Sequence, residues 1–265
     1  MTTPVSYDPA FFDRLRGLED RSFWFRARTG LVAEALERFF PRARDFLEIG
    51  CGTGCVLAGL ASRRPDLRLV GADAFGHAVA LARGRVPLAR LVRADVRRLP
   101  FGRDFDVVGA FDVLEHVRED EDVLSGLARV VRPGGGVLLT VPQHPRLWSA
   151  ADENAGHCRR YTRRGLEDKV RAAGFEILAA TGFVSFLLPP MALLRLAERR
   201  MARPDILSGL TPPRALDFLF GGVMALEGRL IRRGARFPCG GSLLLAARLP
   251  DSAPPASCRA LAALL

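Results

Sequence analysis

Three glycines alternate in Gly50-Cys51-Gly52-Thr53-Gly54, directly behind the apolar run Asp45-Phe46-Leu47-Glu48-Ile49. A strand that runs straight into such a turn and then into a helix lets backbone amides approach a ligand closely, because glycine carries no Cβ to obstruct it. By itself this is a weak signal, one that suits α/β folds whose ligands sit at the carboxyl ends of parallel strands. Alone, the run is compatible with several nucleotide cofactors. A dinucleotide loop reads GxGxxG, whereas here the third glycine comes one residue early and Cys55 stands where that pattern wants glycine, so the spacing argues against a dehydrogenase.

From about Arg44 onward, short β-rich runs alternate with helix-like segments, the pattern of a mostly parallel sheet with helices on both faces. Seven strands are expected, at Asp45 to Ile49, Leu67 to Ala72, Ala89 to Ala94, Phe105 to Phe111, Gly136 to Val141, Phe175 to Thr181 and Ser242 to Arg248. A helix with apolar residues at Leu31, Val32, Ala35, Leu36 and Phe39 precedes the first strand and is closed by Pro41. Further helices are expected over Asp122 to Val131, stopped by Arg132-Pro133-Gly134-Gly135, and over Thr162 to Ala173, stopped by Gly174. The alternation fails from Phe183 to Gly241, where two helical stretches are separated by Pro204 and Pro212-Pro213. Leu216, Leu219, Phe220, Val223 and Leu230 share one face of the second stretch, a stripe expected to pack on the sheet domain. The organisation expected is a helical lid over 1–43, a core over 44–182, an inserted helical cap over 183–241, the last core strand within 242–250 and a mobile tail over 251–265.

A net charge of +10 raises the question of nucleic acid or anionic membrane, since clustered basic side chains attract both. Here the charge is almost all arginine, with Lys169 the only lysine, and the arginines are scattered rather than gathered in a stripe. A solvated basic surface is the preferred reading, and nucleic acid is not the expected partner. The five cysteines, Cys51, Cys55, Cys158, Cys239 and Cys258, form no CxxC pair or zinc spacing, which suits a reducing cytoplasm and gives no reason to expect a metal. Met1 to Ala10 lacks the pattern of a secretory signal. The apolar stretch Phe183 to Leu194 contains Pro189-Pro190 and falls short of the roughly twenty residues that span a bilayer. A cytoplasmic location is therefore expected. Contact with the inner membrane face stays open, because that stretch and the arginines of Glu198-Arg199-Arg200 suit either a lipid surface or a substrate lid.

Four further segments occur in order behind the glycine run. Asp73 follows the second strand in Val70-Gly71-Ala72-Asp73, where a carboxylate can accept hydrogen bonds from both hydroxyls of a ribose. Asp95 follows the third in Ala94-Asp95-Val96, ahead of Leu99-Pro100-Phe101. The fourth strand leads into Phe111-Asp112-Val113-Leu114-Glu115-His116-Val117, and Arg132-Pro133-Gly134-Gly135-Gly136 precedes the fifth. Together these segments resemble class I S-adenosylmethionine-dependent methyltransferases, and the last two resemble the ubiquinone-biosynthesis-like group of small-molecule methyltransferases. The resemblance runs over roughly residues 23–248 and takes in Phe23-Trp24-Phe25-Arg26-Ala27-Arg28 and the stretch from Leu147-Trp148-Ser149 to Tyr161. It implies a Rossmann-like α/β fold, with S-adenosyl-L-methionine as cofactor and S-adenosyl-L-homocysteine as product. The cofactor-binding set it implies is Glu48, Gly50, Cys51, Gly52, Gly54, Asp73, Ala74, Asp95, Val96, Phe111, Trp24 and Arg28. Within it, Glu48 resembles the acidic residue that holds the methionine amino group, while Asp73 and Asp95 take the ribose and the adenine amino group. Ala74-Phe75-Gly76 departs from the group, which more often has a small hydroxyl residue after the acidic strand end. Cys51 and Cys55 read as small packing residues. Trp24 and Phe25 read equally as core aromatics under the lid or as faces for a sulfonium.

Methyl transfer from a sulfonium is an in-line displacement, so a base is needed only where the acceptor begins protonated. His116, His144 and His157 fall after the fourth and fifth strands, at the sheet edge where ligands of open α/β folds bind, and imidazole suits removal of a hydroxyl proton. His157 is the first candidate and His144 the second, each with a structural hydrogen-bonding role as the alternative. His77 is placed on a surface helix. Trp148, Arg160, Tyr161 and Phe186 are the candidate acceptor contacts. The activity expected is methylation of a hydroxyl, ahead of nitrogen or carbon, on a small-molecule or lipid-like acceptor. Two rivals stand beside it: nucleic-acid methylation, which the missing Asn/Asp-Pro-Pro-aromatic motif disfavours, and a non-catalytic cofactor-binding protein whose cap serves a partner. The sequence does not fix an oligomeric state.

Overall fold

The computed structural model describes residues 9–198 and 212–251. Helices α1 (Pro9–Glu19) and α2 (Phe23–Phe39) lead into strand β1 (Asp45–Ile49). Then follow α3 (Cys55–Arg63), β2 (Arg68–Asp73), α4 (Gly76–Arg85), β3 (Arg90–Arg93), β4 (Phe105–Phe111), α5 (Asp120–Val130) and β5 (Val131–Pro142). The second half holds α6 (Ala150–Asn154), α7 (Arg163–Ala172), β6 (Glu176–Phe183), α8 (Leu188–Glu198), α9 (Arg214–Arg232) and β7 (Ser242–Arg248). One seven-stranded sheet results, in the order β3-β2-β1-β4-β5-β7-β6. Pairing is parallel from β3 through β5, and β7 runs antiparallel to both neighbours. This is the Rossmann-like arrangement anticipated from the strand succession.

The central strands are buried on both faces, which is why β1 and β4 read as nearly unbroken apolar runs rather than as alternating ones. Leu47, Ile49, Val108, Ala110, Leu139 and Leu245 belong to the core on one side of the sheet. Phe46, Val107, Leu138 and Leu244 face the other side, against Leu31, Val32 and Leu36 of α2. Strand order reverses at β1 and β4, so their carboxyl ends open the crevice in which open α/β sheets take ligands.

Strands β1, β4 and β7 keep the bounds expected of them, and β2 shifts one residue so that Asp73 lies within it. Strand β5 starts at Val131 rather than Gly136. Val131 pairs with Phe105, the register then breaks, and Gly136 pairs with Val107. The interrupting turn holds Gly134 at φ +76°, donates from the Gly134 amide to Leu249 O, and anchors Arg132 on Asp45 and Asp106. The Arg132 to Gly135 segment ends a helix, as expected, but it does so as a bulge inside the strand.

The cap departs further from its expected pattern. Pro189 and Pro190 occupy the first turn of α8, where a missing amide costs nothing, so they open the helix instead of interrupting the stretch. Helix α9 packs on α2 through Phe220 of the expected stripe and through Met224, Gly228 and Ile231 outside it. Leu216 and Leu219 of that stripe are exposed, and Val223 and Leu230 are only partly covered. Phe220 seats the helices by meeting Phe23 with ring centroids 5.3 Å apart. Asp217 fixes the entry by accepting from the Phe23 amide at the start of α2. Arg199, Arg200, Pro204 and the tail beyond Asp251 lie outside the described residues. Among the described residues no helix is long and apolar enough to cross a membrane.

Candidate active site

The turn behind β1 holds Gly50, Gly52 and Gly54 at φ +62°, +53° and +81°. Two of the three are also demanded by packing. A Cβ on Gly50 would lie 2.5 Å from Val113 Cγ2, and one on Gly54 3.1 Å from the Ala82 Cβ. At Gly52 a Cβ would meet nothing within 4 Å, so open ground lies before this backbone. Gly54 then caps α3. Cys51 is buried beneath the turn, and burial pushes its thiol well above the ordinary range, consistent with a packing role. Thr53 is fully buried and donates to Glu19 of α1, which also takes Arg85 of α4. That tie of α1 to the turn left no sign in the sequence, because its members are far apart along the chain.

Three acidic groups surround the turn. Glu48 is 3% exposed, and Oε2 has no hydrogen-bond partner among the described residues. Burial pushes its carboxyl up to about 8; Arg28 opposes the shift, while Glu19 and Asp73 add to it. Asp73 accepts from the Gly52 amide at 2.8 Å and the Phe75 amide at 2.9 Å, which fixes its carboxylate across from the turn. Burial raises its pKa against those bonds. Asp95 is half-exposed and held by Arg97 at 2.6 Å, and this pairing keeps its carboxyl low. Ala74 beside Asp73 is exposed and Val96 beside Asp95 partly buried.

Arg28 joins this end of the sheet to the next strand. It donates to Asp112 Oδ2 at 2.6 Å, and its guanidinium lies 4.7 Å from the centre of the Trp24 ring and 5.3 Å from that of Phe25. Trp24 thus gives a face to Arg28. The Arg28 Nε is buried without a partner among the described residues. Asp112, absent from the expected set, sits at φ +57° just past β4, accepts from Thr140 Oγ1 and ties that strand end to Arg28 of α2. Phe111, its neighbour, is buried over Gly109.

Beyond Asp112, the three histidine candidates separate. His116 and His157 stand edge to face with centroids 4.8 Å apart. His157 Nδ1 lies 2.9 Å from Asp152 Oδ1, and Asp152, wholly buried, also accepts from Arg160 Nε at 2.8 Å and the Ser149 amide at 3.0 Å. Burial and the neighbouring His157 push His116 down to about 4. Glu115 is buried beside them, and burial and Asp112 drive its carboxyl well up. Glu115, His116 and His157 present ligand atoms within 4.8 Å of one another, a set that could hold a divalent cation. His144 lies apart at φ +63°, lowered by burial and by Arg160, with a buried and unpartnered Nε2.

The expected acceptor contacts are scattered. Arg160 turns into the fold, onto Asp152 and the Gln143 carbonyl. The Tyr161 hydroxyl donates to buried Asp120 at 2.7 Å. Trp148 donates from its indole to Glu153 at 3.1 Å. Phe186 is 44% exposed on the turn after β6, edge-on to Phe237, and its amide is held by Glu227 of α9. Asp152 and Glu227 were not foreseen: a lone carboxylate in a helical segment carries no local mark of burial.

The sheet order, the glycine turn and the strand-end carboxylates together make an open, carboxylate-lined crevice of the Rossmann-like kind. The family model described as a methyltransferase domain matches residues 24–180, and the chain belongs to that family. A probable S-adenosylmethionine-dependent methyltransferase of Mycolicibacterium smegmatis is 30% identical over 167 residues, which cover 61% of this chain and 62% of that protein. The ubiquinone biosynthesis O-methyltransferase of Ruegeria pomeroyi is 31% identical over 186 residues, 59% of this chain and 71% of that one. In fold, the chain is similar to one in the complex between the Haloferax volcanii Trm112 methyltransferase activator and a methyltransferase, with a TM-score of 0.59 and 16% identity over 92% of this chain and 96% of the other. The turn fits the cofactor named for the mycobacterial relative on two observations: the open ground before Gly52 and the buried, unpartnered Oε2 of Glu48.

Proposed function

We propose that the chain transfers a methyl group from S-adenosylmethionine to a hydroxyl of a small-molecule or lipid-like acceptor. The observation that carries the hydroxyl reading is the His157–Asp152 pair, 2.9 Å apart and adjoining His116 just beyond β4. The cofactor, when bound, supplies an electrophilic methyl on a sulfonium. Glu48 holds the ammonium of its amino-acid end, Arg28 the carboxylate, and Asp73 the ribose hydroxyls. Asp152 fixes the tautomer of His157 by accepting at Nδ1, which leaves the lone pair on Nε2 to take the acceptor proton. Neutral His116 beside it adds no competing charge at neutral pH. The name of the Ruegeria relative, an O-methyltransferase, supports the same choice of atom.

A lipid-like acceptor is favoured by the outer face of α9, where Phe218 is 83%, Leu219 57% and Leu226 51% exposed. Such a face suits the boundary of a bilayer. Co-sedimentation with anionic vesicles checks this part, and a chain that stays in the supernatant removes it.

The test of the whole reading is a screen of hydroxylated metabolites, quinone precursors and lipid extracts with labelled cofactor, followed by His157→Asn on the acceptor found. The variant is expected to lose about 10²- to 10⁴-fold in kcat while keeping its S-adenosylhomocysteine affinity. Undiminished turnover would remove His157 as the base.

A further inference from the structure

A cavity of about 410 Å³ opens between α2, α9 and the strands β6 and β7, away from the glycine turn and sharing none of its residues. Its volume falls in the range of small-molecule sites, about 300–1,000 Å³. Small side chains create it. Ala35 of α2, Ala179 of β6 and Ala246 of β7 stand where larger residues would close the helices onto the sheet, and Phe39, Ile231 and Leu244 complete an apolar lining. The one hydroxyl on the floor is spent: Thr181 Oγ1 donates to Gly182 O and accepts from the Phe237 amide.

Charge is concentrated at the rim, and it does not balance. Arg38, Arg63, Arg232 and Arg236 line the cavity together with only two carboxylates, Glu34 and Glu37. Arg63 pairs with Glu37 at 2.8 Å and reaches Glu34 at 3.8 Å, and Arg232 pairs with Glu34. Glu37 is thereby engaged, and Glu34 is engaged through Oε1 while its Oε2 stays buried and unpartnered among the described residues. Arg38 lies over the Phe39 ring at 5.5 Å and donates only to the carbonyls of Ile231 and Arg232 at 3.5 Å, and Arg236 donates only to that of Leu178 at 3.5 Å among the described residues. Neither meets a carboxylate among the described residues, so two guanidinium forks stand at an apolar cavity with donors to spare.

We propose that this cavity is a second ligand site, for a single-chain anionic amphiphile whose apolar tail lies along Ala35, Ala179 and Ala246 and whose head is taken by Arg38 and Arg236. Such a ligand satisfies both halves of the site. A neutral chain leaves the guanidinium donors unused, and a cationic one is repelled by the surplus positive charge. The site is independent of methyl transfer, and its test is a binding measurement.

Decanoate titrated into the full chain, saturated with S-adenosylhomocysteine, is expected to bind one to one and at least about tenfold more tightly than decanol or decyltrimethylammonium. Arg38→Glu with Arg236→Glu, both outside the core, is expected to abolish the preference for the anion while leaving S-adenosylhomocysteine affinity unchanged. Asp73→Ala is expected to leave decanoate binding as it was. Equal affinity for decanoate and decanol, or decanoate binding that survives the double variant, would overturn the proposal. So would loss of decanoate binding in Asp73→Ala, which would place the ligand at the acceptor site.

Discussion

The two ends of the crevice are built differently. Around β1 and β2 the polar groups are held by backbone: Asp73 by the amides of Gly52 and Phe75, the turn by three left-handed glycines, with Glu48 left a free oxygen. Around β4 and β5 they are held by one another, in the buried set of Asp152, Arg160 and His157 and the neighbouring set of Asp120, Tyr161 and Lys169. The first construction leaves polar atoms ready for a ligand of fixed shape. The second spends its polar atoms on one another and so fixes the directions of the side chains that carry them.

Asp152→Ala breaks that contrast most severely. It leaves the guanidinium of Arg160, whose side chain is 3% exposed, without its carboxylate, and is expected to cost about 3–5 kcal/mol by chemical denaturation. A loss below about 1 kcal/mol would show that the network is not what holds this end. Next in size is a pair of alanine substitutions in the turn. Gly50→Ala meets Val113 as well as a left-handed backbone and should cost about 2–4 kcal/mol, whereas Gly52→Ala meets only the backbone term, about 1–2 kcal/mol. Gly52→Ala should nonetheless lose S-adenosylhomocysteine binding, because its methyl group enters the open ground. Equal stability losses with binding intact would put the ligand elsewhere.

Read per pH unit, the smallest effect is one of pH. Glu48 has its folded pKa raised to about 8 from 4.5, so between those values the folded chain binds the proton more strongly than the unfolded one. Stability of the ligand-free protein is therefore expected to fall as pH rises from about 5 to 8, by at most about 1.4 kcal/mol per pH unit from this group. Glu48→Gln should flatten that slope. S-adenosylhomocysteine affinity should move the opposite way, rising as Glu48 ionises toward its ammonium. Parallel profiles for wild type and Glu48→Gln would mean that Glu48 does not titrate in this window.

The same contrast accounts for what the sequence makes legible. Glycine spacing and strand-end carboxylates are local, so Gly50, Gly52, Gly54, Glu48, Asp73 and the strand succession can be read from neighbours along the chain. Asp95 is equally legible by position, yet its pairing with Arg97 depends on which way an exposed arginine folds back. Arg160 and Tyr161 carry the right chemistry for an acceptor, but their partners are Asp152 and Asp120, and no periodicity marks those carboxylates as buried. In α9 the apolar residues are numerous enough to draw more than one stripe. The face that packs is the one that sets Phe220 against Phe23, a contact between residues on separate helices.

Calorimetric titration of S-adenosylhomocysteine into the wild-type chain and into Asp73→Ala tests the cofactor assignment most directly. One-to-one binding to the wild type, weakened about hundredfold in the variant through lost hydrogen bonds to the ribose, is the predicted result. No binding to the wild type, or equal affinity in the two, would contradict it.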